Sequence, residues 1–330
     1  MRDPLNLTIV MYHYIRPIEG SEYSGIKGLE MESFHKQLDF IECRYQTISV
    51  KQVIDAASGG RPLPSNAILL TFDDGFSDHY HNVFPLLINR SMTGVFFPPA
   101  CSVLEGRILD VHKIHFLLAK AGNVSTLIQF IENAVVTEKK ELSLESLEYY
   151  REAWYRPTRF DTAEVIFIKR MLQTALPEEF RSALVQELFS DLVSADEKDF
   201  ASSLYCSFAE LSEMVGAGMT IGGHGYNHNW LNSLSVDKQA EEIDRSQLML
   251  ASMGADQPHF VFSYPYGGYN ENTLNLLEER GCDAAFTTQV SRAAINPRMN
   301  KSSLLQLPRI DTNDLQLLVD QKSEPRSFEV

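Results

Sequence analysis

The stretch AILLTFDDG, residues 67–75, decides the fold class. A run of apolar residues passes directly into two adjacent carboxylates, Asp73 and Asp74, and then a glycine. In a barrel of parallel strands the active site lies at the carboxyl ends of the strands, which is where this run would end. Neighbouring carboxylates repel each other unless a cation or a shared proton stabilises them. An ordinary Asp-Gly turn with solvated side chains is the alternative that this stretch alone leaves open.

Short apolar strands alternate with amphipathic helical stretches along most of the chain. The strands are predicted at 7–12, 67–72, 94–97, 219–223, 260–263, 284–287 and 304–307, and the helices at 33–43, 81–90, 208–216, 235–253 and 272–280. This alternation predicts an α/β fold of βα units with parallel strands. Residues 105–200 are rich in helix formers instead, so they are predicted to be a helical insertion. It would divide the barrel into 1–104 and 201–320, with 321–330 as a loose tail.

The composition excludes several classes of partner. The chain of 330 residues has 29 Lys and Arg against 44 Asp and Glu, a formal charge of −15. An acidic surface argues against nucleic acid, because phosphate backbones are bound by Lys and Arg. No apolar run approaches the roughly 20 residues of a membrane span, and Leu5–Tyr12 is typical of a first strand rather than of a signal peptide. Four cysteines without a CxxC pair predict reduced thiols. We therefore expect a cytoplasmic location, including the inner membrane face.

A pair of histidines gives the second chemical signal. His224 and His228 follow the predicted strand 219–223 with a spacing of four residues. On a helix this spacing places both imidazoles on one face, where both can reach one ion. Either histidine alone would more often be a packing or surface residue. Together with a carboxylate from the other strand end, they predict a divalent metal site with open positions for water and substrate. One Asp and two His suit Zn²⁺ or a similar ion.

A third signal follows the predicted strand 260–263. The sequence SYPYG, residues 263–267, places Tyr264 and Pro265 at a strand end, where they would form a rigid and partly apolar wall. Tyr266 could stack on a sugar ring, or its backbone N–H could face a developing oxyanion. A plain aromatic turn is the alternative for this stretch taken alone.

The three signals in this order resemble the motifs of a known family. TFDDG, then HxxxH after a strand, then YPYG are similar to those of the polysaccharide deacetylases, also called the NodB-homology or carbohydrate esterase 4 family. The opening MYHYI (11–15) and the late LPRID (307–311) resemble the branch that acts on cell-surface glycans. The resemblance covers about 1–104 and 201–315. It implies a distorted (β/α)7 barrel.

The resemblance also implies a role for each residue. Asp73 would be the general base, and Asp74, His224 and His228 would hold one divalent ion, Zn²⁺ first, with Co, Ni, Fe or Mn as alternatives. Tyr264, Pro265, Tyr266 and Gly267 would form part of the substrate groove. The implied reaction removes an N-acyl group, with N-acetyl expected, from an amino sugar during surface polysaccharide or lipopolysaccharide biosynthesis.

Two departures from the family pattern change the expected site. Many members have an arginine before the Pro-Tyr of the third motif that holds the base carboxylate, and this chain has none there. Arg309, just past the last predicted strand, is the candidate substitute. Many members also have a late histidine as general acid, whereas His259 here begins a strand and should lie at the opposite end of the barrel. His13, which follows the first strand, is the candidate acid or substrate ligand, with a structural role as the alternative.

Other functions remain open at this stage. A deformylase or another amidohydrolase acting on a non-polymeric substrate is the first alternative, and a non-catalytic carbohydrate-binding barrel is the second. The expected substrate is an amino sugar, nucleotide-linked or lipid-linked, and a homo-oligomer is left open. Within the insertion, three arginines (Arg151, Arg156 and Arg159) among aromatic residues predict a phosphate-binding segment, with packing of its own core or a dimer interface as the alternative.

Overall fold

The structure is a computed structural model that describes residues 5–158, 161–253, 259–297 and 299–323. The chain divides into two compact units. The barrel unit comprises Met1–Pro17, Gly28–Gly106 and Ser202–Val330, and the helical unit comprises Ile18–Lys27 and Arg107–Ala201. The first segment of the helical unit is one that the sequence placed with the barrel. No described helix is both long enough and apolar enough to cross a membrane.

The described part of the barrel unit contains nine strands. They are β1 Leu5–Tyr12, β2 Gln46–Thr47, β3 Ala67–Asp73, β4 Gly94–Phe97, β5 Thr220–Ile221, β6 Val261–Ser263, β7 Ala284–Val290, β8 Ala293–Ile295 and β9 Leu307–Asp311. Seven of them lie in the order β5-β4-β3-β1-β9-β7-β6, and all pairs along this path are parallel. β2 pairs with β3, and β8 pairs antiparallel with β1.

A backbone bridge nearly closes the seven strands into a ring. Gly223, just past β5, donates its N–H to the Val261 carbonyl at 2.9 Å and accepts from the Ser263 N–H at 2.9 Å. The strands approach closely here because the residue before the bridge is also a glycine. A Cβ on Gly222 would lie 2.4 Å from the Phe97 ring. The predicted barrel of (β/α)7 type is confirmed, since the path contains seven parallel strands.

The described helices cover the outside of the barrel or form the helical unit. They are α1 Met31–Arg44, α2 Val50–Ala57, α3 Phe84–Asn89, α4 Ala100–Glu105, α5 Asp110–Lys120, α6 Val124–Glu138, α7 Leu147–Trp154, α8 Ala163–Arg170, α9 Glu178–Leu192, α10 Glu197–Leu204, α11 Phe208–Gly216, α12 Val236–Ser252, α13 Glu271–Glu279, α14 Lys301–Leu304 and α15 Thr312–Ser323. Two π-helical turns, His79–Val83 and Met171–Ala175, precede α3 and follow α8.

Local chemistry explains why the main elements begin and end where they do. Every residue of β3 is buried, as expected for a strand covered on both faces. Ser207 caps α11 through a capping box with Glu210, which fixes the start of that helix. The last strand was predicted at 304–307 but runs from Leu307 to Asp311, because residues 301–304 form a short helix capped by Asn300.

The helical unit has a core of its own. Its buried side chains come from α5 to α9 and include Ile114, Ile131, Phe167 and Val185. The early segment joins this unit through Tyr23, whose ring meets Phe116 edge to face with centroids 4.8 Å apart. A segment far away in sequence therefore completes a core that the sequence assigned to the insertion alone.

The predicted phosphate-binding segment of the helical unit is only partly described. The guanidinium of Arg151 bonds the Glu132 carboxylate at 2.6 Å and lies over the Tyr155 ring. Arg156 is exposed and donates to the Glu152 carbonyl at 2.8 Å. Arg159 lies outside the described residues. The pairing of Arg151 with an acidic neighbour reduces the positive charge that a phosphate would meet, so a role in phosphate binding stays a prediction.

Candidate active site

The barrel brings the predicted residues together at the carboxyl ends of its strands. Asp73 is the last residue of β3 and Asp74 follows it. His224 follows the closing bridge after β5, and Arg309 lies within β9. Because these strands are parallel, their carboxyl ends meet at one end of the barrel. His259 lies two residues before β6, and its Nδ1 is 3.1 Å from Asp283 Oδ2. It therefore lies toward the amino end of that strand, at the opposite end of the barrel, as the sequence predicts.

Asp74, His224 and His228 form a compact and buried cluster. Asp74 Oδ1 lies 3.5 Å from His224 Nε2 and 3.3 Å from His228 Nε2. One ligand atom from each residue lies within 4.8 Å of the other two, and this is the one such group of three among the described residues. His224 Nδ1 bonds the Ser263 carbonyl at 2.7 Å, which requires its proton on Nδ1 and leaves the Nε2 lone pair facing Asp74. The donor set therefore fits a divalent cation.

The two histidines do not lie on a helix, and the predicted reason for their proximity is wrong. Residues 224–228, here called the histidine loop, contain no helical turn. Gly225 and His228 both have left-handed backbone angles, with φ of 70° and 59°. This double reversal brings the ends of the loop together, and the two imidazole centroids are 4.8 Å apart. Asp74 also has a positive φ of 75°, an uncommon conformation for a residue other than glycine.

Arg309 makes a two-pronged contact with Asp73. Its Nη1 donates to Asp73 Oδ1 at 2.8 Å and its Nη2 donates to Oδ2 at 2.7 Å. The guanidinium is itself fixed, since Nε donates to the Thr287 carbonyl at 2.9 Å. The Ser263 hydroxyl donates to Asp73 Oδ2 at 3.2 Å. Arg309 thus reaches the carboxylate from β9, in place of the arginine that the third motif lacks.

The environment of Asp73 keeps its carboxylate ionised. Burial alone would raise the pKa of Asp73, but the Arg309 guanidinium opposes this strongly, with smaller contributions from His224 and His13. The net effect lowers the pKa from 3.8 to about 2. Asp73 can therefore accept a hydrogen bond or a proton throughout the neutral range.

The chain after β1 contributes two further side chains to this neighbourhood. His13 is half-buried and lies close enough to Asp73 for its charge to affect the pKa of that carboxyl. Tyr14 is buried, and its ring stacks on Phe76 with centroids 3.9 Å apart. Burial raises the pKa of Tyr14 well above its usual value, and the charges of Tyr205 and Asp74 add to this effect. The sequence predicted no role for Tyr14, although this residue lies inside the MYHYI stretch.

The third motif divides into a buried part and an exposed part. Tyr264 is fully buried and its hydroxyl donates to the Leu305 carbonyl at 2.7 Å, so its side chain packs in the core instead of lining a groove as predicted. Pro265 is also buried. Tyr266 is 41% exposed, and its ring centroid lies 4.6 Å from that of His228. The ring of Trp230, for which the sequence predicted no role, meets the Tyr266 ring edge to face with centroids 4.7 Å apart.

Comparison with known proteins assigns the family. A family model described as polysaccharide deacetylase matches residues 200–285, which include the histidine loop and the third motif. YxkH of Bacillus subtilis (strain 168), whose given name places it with the polysaccharide deacetylases, is 33% identical over 291 residues, or 88% of this chain and 67% of that protein. The chain belongs to the polysaccharide deacetylase family. The resemblance seen in the sequence is confirmed, and membership places the chain among hydrolases that act on carbon–nitrogen bonds other than peptide bonds.

Shorter and structural similarities extend the comparison. Poly-beta-1,6-N-acetyl-D-glucosamine N-deacetylase of Escherichia coli (strain K12) is 51% identical over 43 residues, which are 13% of this chain and only 6% of that protein. Two solved structures share the fold. The Streptococcus pyogenes deacetylase PplD, in complex with acetate, has a TM-score of 0.60 at 18% identity and covers 98% of this chain and 100% of its own. IcaB from Ammonifex degensii has a TM-score of 0.55 at 18% identity, with coverage of 98% and 99%.

Proposed function

We propose that this polysaccharide deacetylase is a metal-dependent N-deacetylase that removes an acetyl group from an amino sugar of a cell-surface glycan. One observation carries the proposal. A buried carboxylate held by an arginine, Asp73 with Arg309, lies directly beside the cluster of Asp74, His224 and His228. A fixed base next to a site for a Lewis acid is an arrangement suited to metal-assisted amide hydrolysis.

Asp74, His224 and His228 would hold the divalent ion, and Zn²⁺ is the ion that this donor set suits best. When bound, the ion would polarise the acyl carbonyl and increase the acidity of water at the site. The protein itself orients one of these ligand side chains. The Ser263 carbonyl orients the His224 ring through Nδ1, so that Nε2 faces inward.

Asp73 is the proposed general base. Its carboxylate is deprotonated at neutral pH and held in one orientation by Arg309, so it can take the proton of a water that attacks the acyl carbon. The two bonds from the guanidinium prevent the carboxylate from turning toward the cluster beside it. Asp73 and Asp74 can therefore act separately although they are neighbours in the chain.

His13 is the proposed proton donor to the departing sugar amine. It follows β1 at the same end of the barrel, and imidazole is the side chain that most often transfers protons in catalysis. The developing negative charge on the acyl oxygen would be stabilised by the backbone N–H of Tyr266, and the exposed ring of that residue would stack on a sugar. Gly267 allows the tight turn of this loop through a φ of 70°.

A polymeric substrate is favoured by the names of the relatives. The E. coli relative is named for poly-β-1,6-linked N-acetylglucosamine, and the S. pyogenes structure is a deacetylase with acetate bound. A nucleotide-linked or lipid-linked amino sugar remains a second candidate for the carrier of the acetyl group. The predicted phosphate contacts in the helical unit favour it only weakly, because Arg151 is already paired.

The decisive experiment measures acetate and free amine from defined substrates. The purified protein with Zn²⁺ should release both from oligomers of β-1,6-linked N-acetylglucosamine, and Asp73→Asn should not. Release of acetate from an acetylated nucleotide sugar but not from the oligomers would show that the substrate is nucleotide-linked and not polymeric. Release of formate from an N-formylated amino sugar, with no acetate released from either acetylated substrate, would indicate the deformylase alternative. If the metal-loaded protein binds the sugar but releases neither acetate nor amine, the proposal is rejected and the non-catalytic carbohydrate-binding alternative is supported.

A further inference from the structure

The histidine loop cannot hold its own shape. It lacks the hydrogen bonds of a helix, and two of its five residues, Gly225 and His228, have left-handed backbone angles. A positive φ costs free energy at a residue with a side chain, so His228 stays in this conformation only if the surroundings fix it. An element outside the loop must therefore set the position of the two imidazoles.

Glu242 of α12 supplies this support. Its carboxylate is 3% exposed and accepts hydrogen bonds from four donors in and beside the loop. Oε2 accepts from the backbone N–H groups of Tyr226 and Asn227, each at 2.8 Å. Oε1 accepts from the side-chain amides of Asn227 at 2.6 Å and of Asn229 at 3.3 Å. The Gly225 and Tyr226 carbonyls accept from the backbone N–H groups of Ala100 and Cys101 at 3.1 and 3.0 Å, so Glu242 fixes the N–H side of the loop. Bonds to an ionised acceptor are stronger than bonds between neutral groups, which makes this carboxylate the stronger of the two supports.

Neighbouring residues are arranged around this carboxylate. A Cβ on Gly225 would lie 2.9 Å from Glu242 Oε2, so the close approach and the left-handed angle both require glycine there. One turn further along α12, the Arg245 guanidinium lies 3.2 Å from the centre of the Tyr226 ring. Helix α12 therefore holds the loop through its backbone, with Glu242, and through a side chain, with Arg245.

We propose that Glu242 is a positioning residue for the metal site, and that its carboxylate presets the loop so that His224 and His228 present both Nε2 atoms to Asp74. This inference rests on the metal site of the proposed function. The bonds from the Tyr226 and Asn227 N–H groups connect Glu242 to the backbone between the two histidines, so the carboxylate acts through the loop backbone. Loss of such an outer partner lowers metal affinity by about 10–100-fold in other metal sites.

The test compares Glu242→Gln with Glu241→Gln. Glutamine has nearly the same shape, but it is neutral and one of its two ends carries N–H groups. The variant therefore loses the ionised acceptor and can meet the donors of the loop with one oxygen only. Glu241 lies next to it on α12, is exposed, and makes a 3.7 Å ion pair with Arg245. Its variant makes the same change of charge but leaves all four bonds from the loop to Glu242 in place. Zn²⁺ affinity is measured by competition with a chelator, and the Co²⁺-loaded proteins are compared by visible absorption.

Glu242→Gln should bind Zn²⁺ about 10–100-fold more weakly and alter the Co²⁺ spectrum, whereas Glu241→Gln should match the parent. Turnover of Glu242→Gln should recover substantially at saturating Zn²⁺, because the ligands themselves remain. If Glu242→Gln fails to fold, Asn227→Ala, which removes one side-chain donor and leaves the carboxylate, should weaken Zn²⁺ binding in the same direction.

Parental Zn²⁺ affinity in Glu242→Gln, or in Asn227→Ala where the first variant does not fold, would overturn the inference and leave the proposed function intact. A parent that binds Zn²⁺ but releases no acetate would overturn the proposed function alone, since affinity is measured without substrate. A parent that binds no divalent ion would overturn both.

Discussion

The two sides of the site are built from different kinds of structure. Asp73 and Arg309 lie on β3 and β9, whose hydrogen-bonded neighbours set their positions, and the guanidinium is also bonded to the backbone of β7. The histidine loop lies outside the strands, and its backbone is bonded to two helices, with N–H groups on Glu242 of α12 and carbonyls on the first residues of α4. The base side is therefore fixed by the barrel strands, and the metal side is fixed by contacts from α12 and α4.

This difference predicts how each side responds to change. On the strand side, a lost side chain removes one interaction and leaves the backbone in place, because the ladder hydrogen bonds remain. On the loop side, a lost contact can displace both imidazoles together. Substitutions on the strand side should change catalysis and its pH dependence while the ion is retained. Substitutions on the loop side should change metal binding.

The largest effect is expected on the loop side. His224→Ala and His228→Ala each remove one of three proposed protein ligands, so both should lose the divalent ion and all measurable turnover. Elemental analysis of the purified proteins measures this directly. His259→Ala is the control, since that histidine contacts Asp283 away from the cluster. Full metal content in both ligand variants would place the ion elsewhere.

Exchanging the acid for the amide separates the two neighbouring carboxylates. Asp73→Asn should keep the ion and lower kcat by about 10²-fold or more, as expected for loss of a general base. Asp74→Asn should lower the affinity for the ion, because Asp74 Oδ1 faces both imidazoles. Metal content and kcat are measured in parallel for both. Near-normal turnover in Asp73→Asn would mean that another group is the base.

Removing the arginine should change the pH dependence rather than the metal content. Arg309→Met removes the guanidinium that opposes the effect of burial on Asp73. The pKa of Asp73 should therefore rise, and the acid limb of the kcat/KM profile should move to higher pH. The same pair affects stability. Because the pKa of Asp73 is lowered by folding, its contribution is present above about pH 4 and lost as the pH falls toward 2.

Arg309→Lys is the matched control for that variant. Lysine keeps the positive charge but cannot make the two parallel bonds, so the acid limb should move less than in Arg309→Met. An acid limb that is identical in the parent, the lysine variant and the methionine variant would show that Asp73 does not control it.

The smallest effect is expected at the exposed aromatic ring. Tyr266→Ala removes a ring that is 41% exposed and lies beside His228, so KM for a glycan should rise several-fold while metal content stays unchanged. Tyr266→Phe keeps the ring and should behave like the parent. If KM rises equally in both variants, the hydroxyl and not the ring contacts the substrate.

Much of the fold could be predicted from the sequence because its signals are local. The alternation of apolar strands and amphipathic helices is visible in short windows, and it predicted the α/β class with parallel strands that the structure contains. The histidines were singled out by their spacing and by the strand before them, and the family resemblance assigned Asp74 to them as the third ligand. Arg309 was singled out as a substitute for the arginine that the third motif lacks, and the structure places it against Asp73.

The sequence by itself thus determined the order of the strands along the chain and which residues lie at their ends. Only the tertiary structure decided how those ends are joined. Ser263 meets Asp73 across 190 residues and Arg309 meets it across 236, and such contacts exist only once the barrel closes. The i, i+4 histidines were predicted to be helical, but the loop is held by Glu242, 14 residues beyond His228, through bonds that no local pattern encodes. Local propensity acts within a few residues, whereas burial and hydrogen bonding between distant strands and helices choose among the conformations it allows.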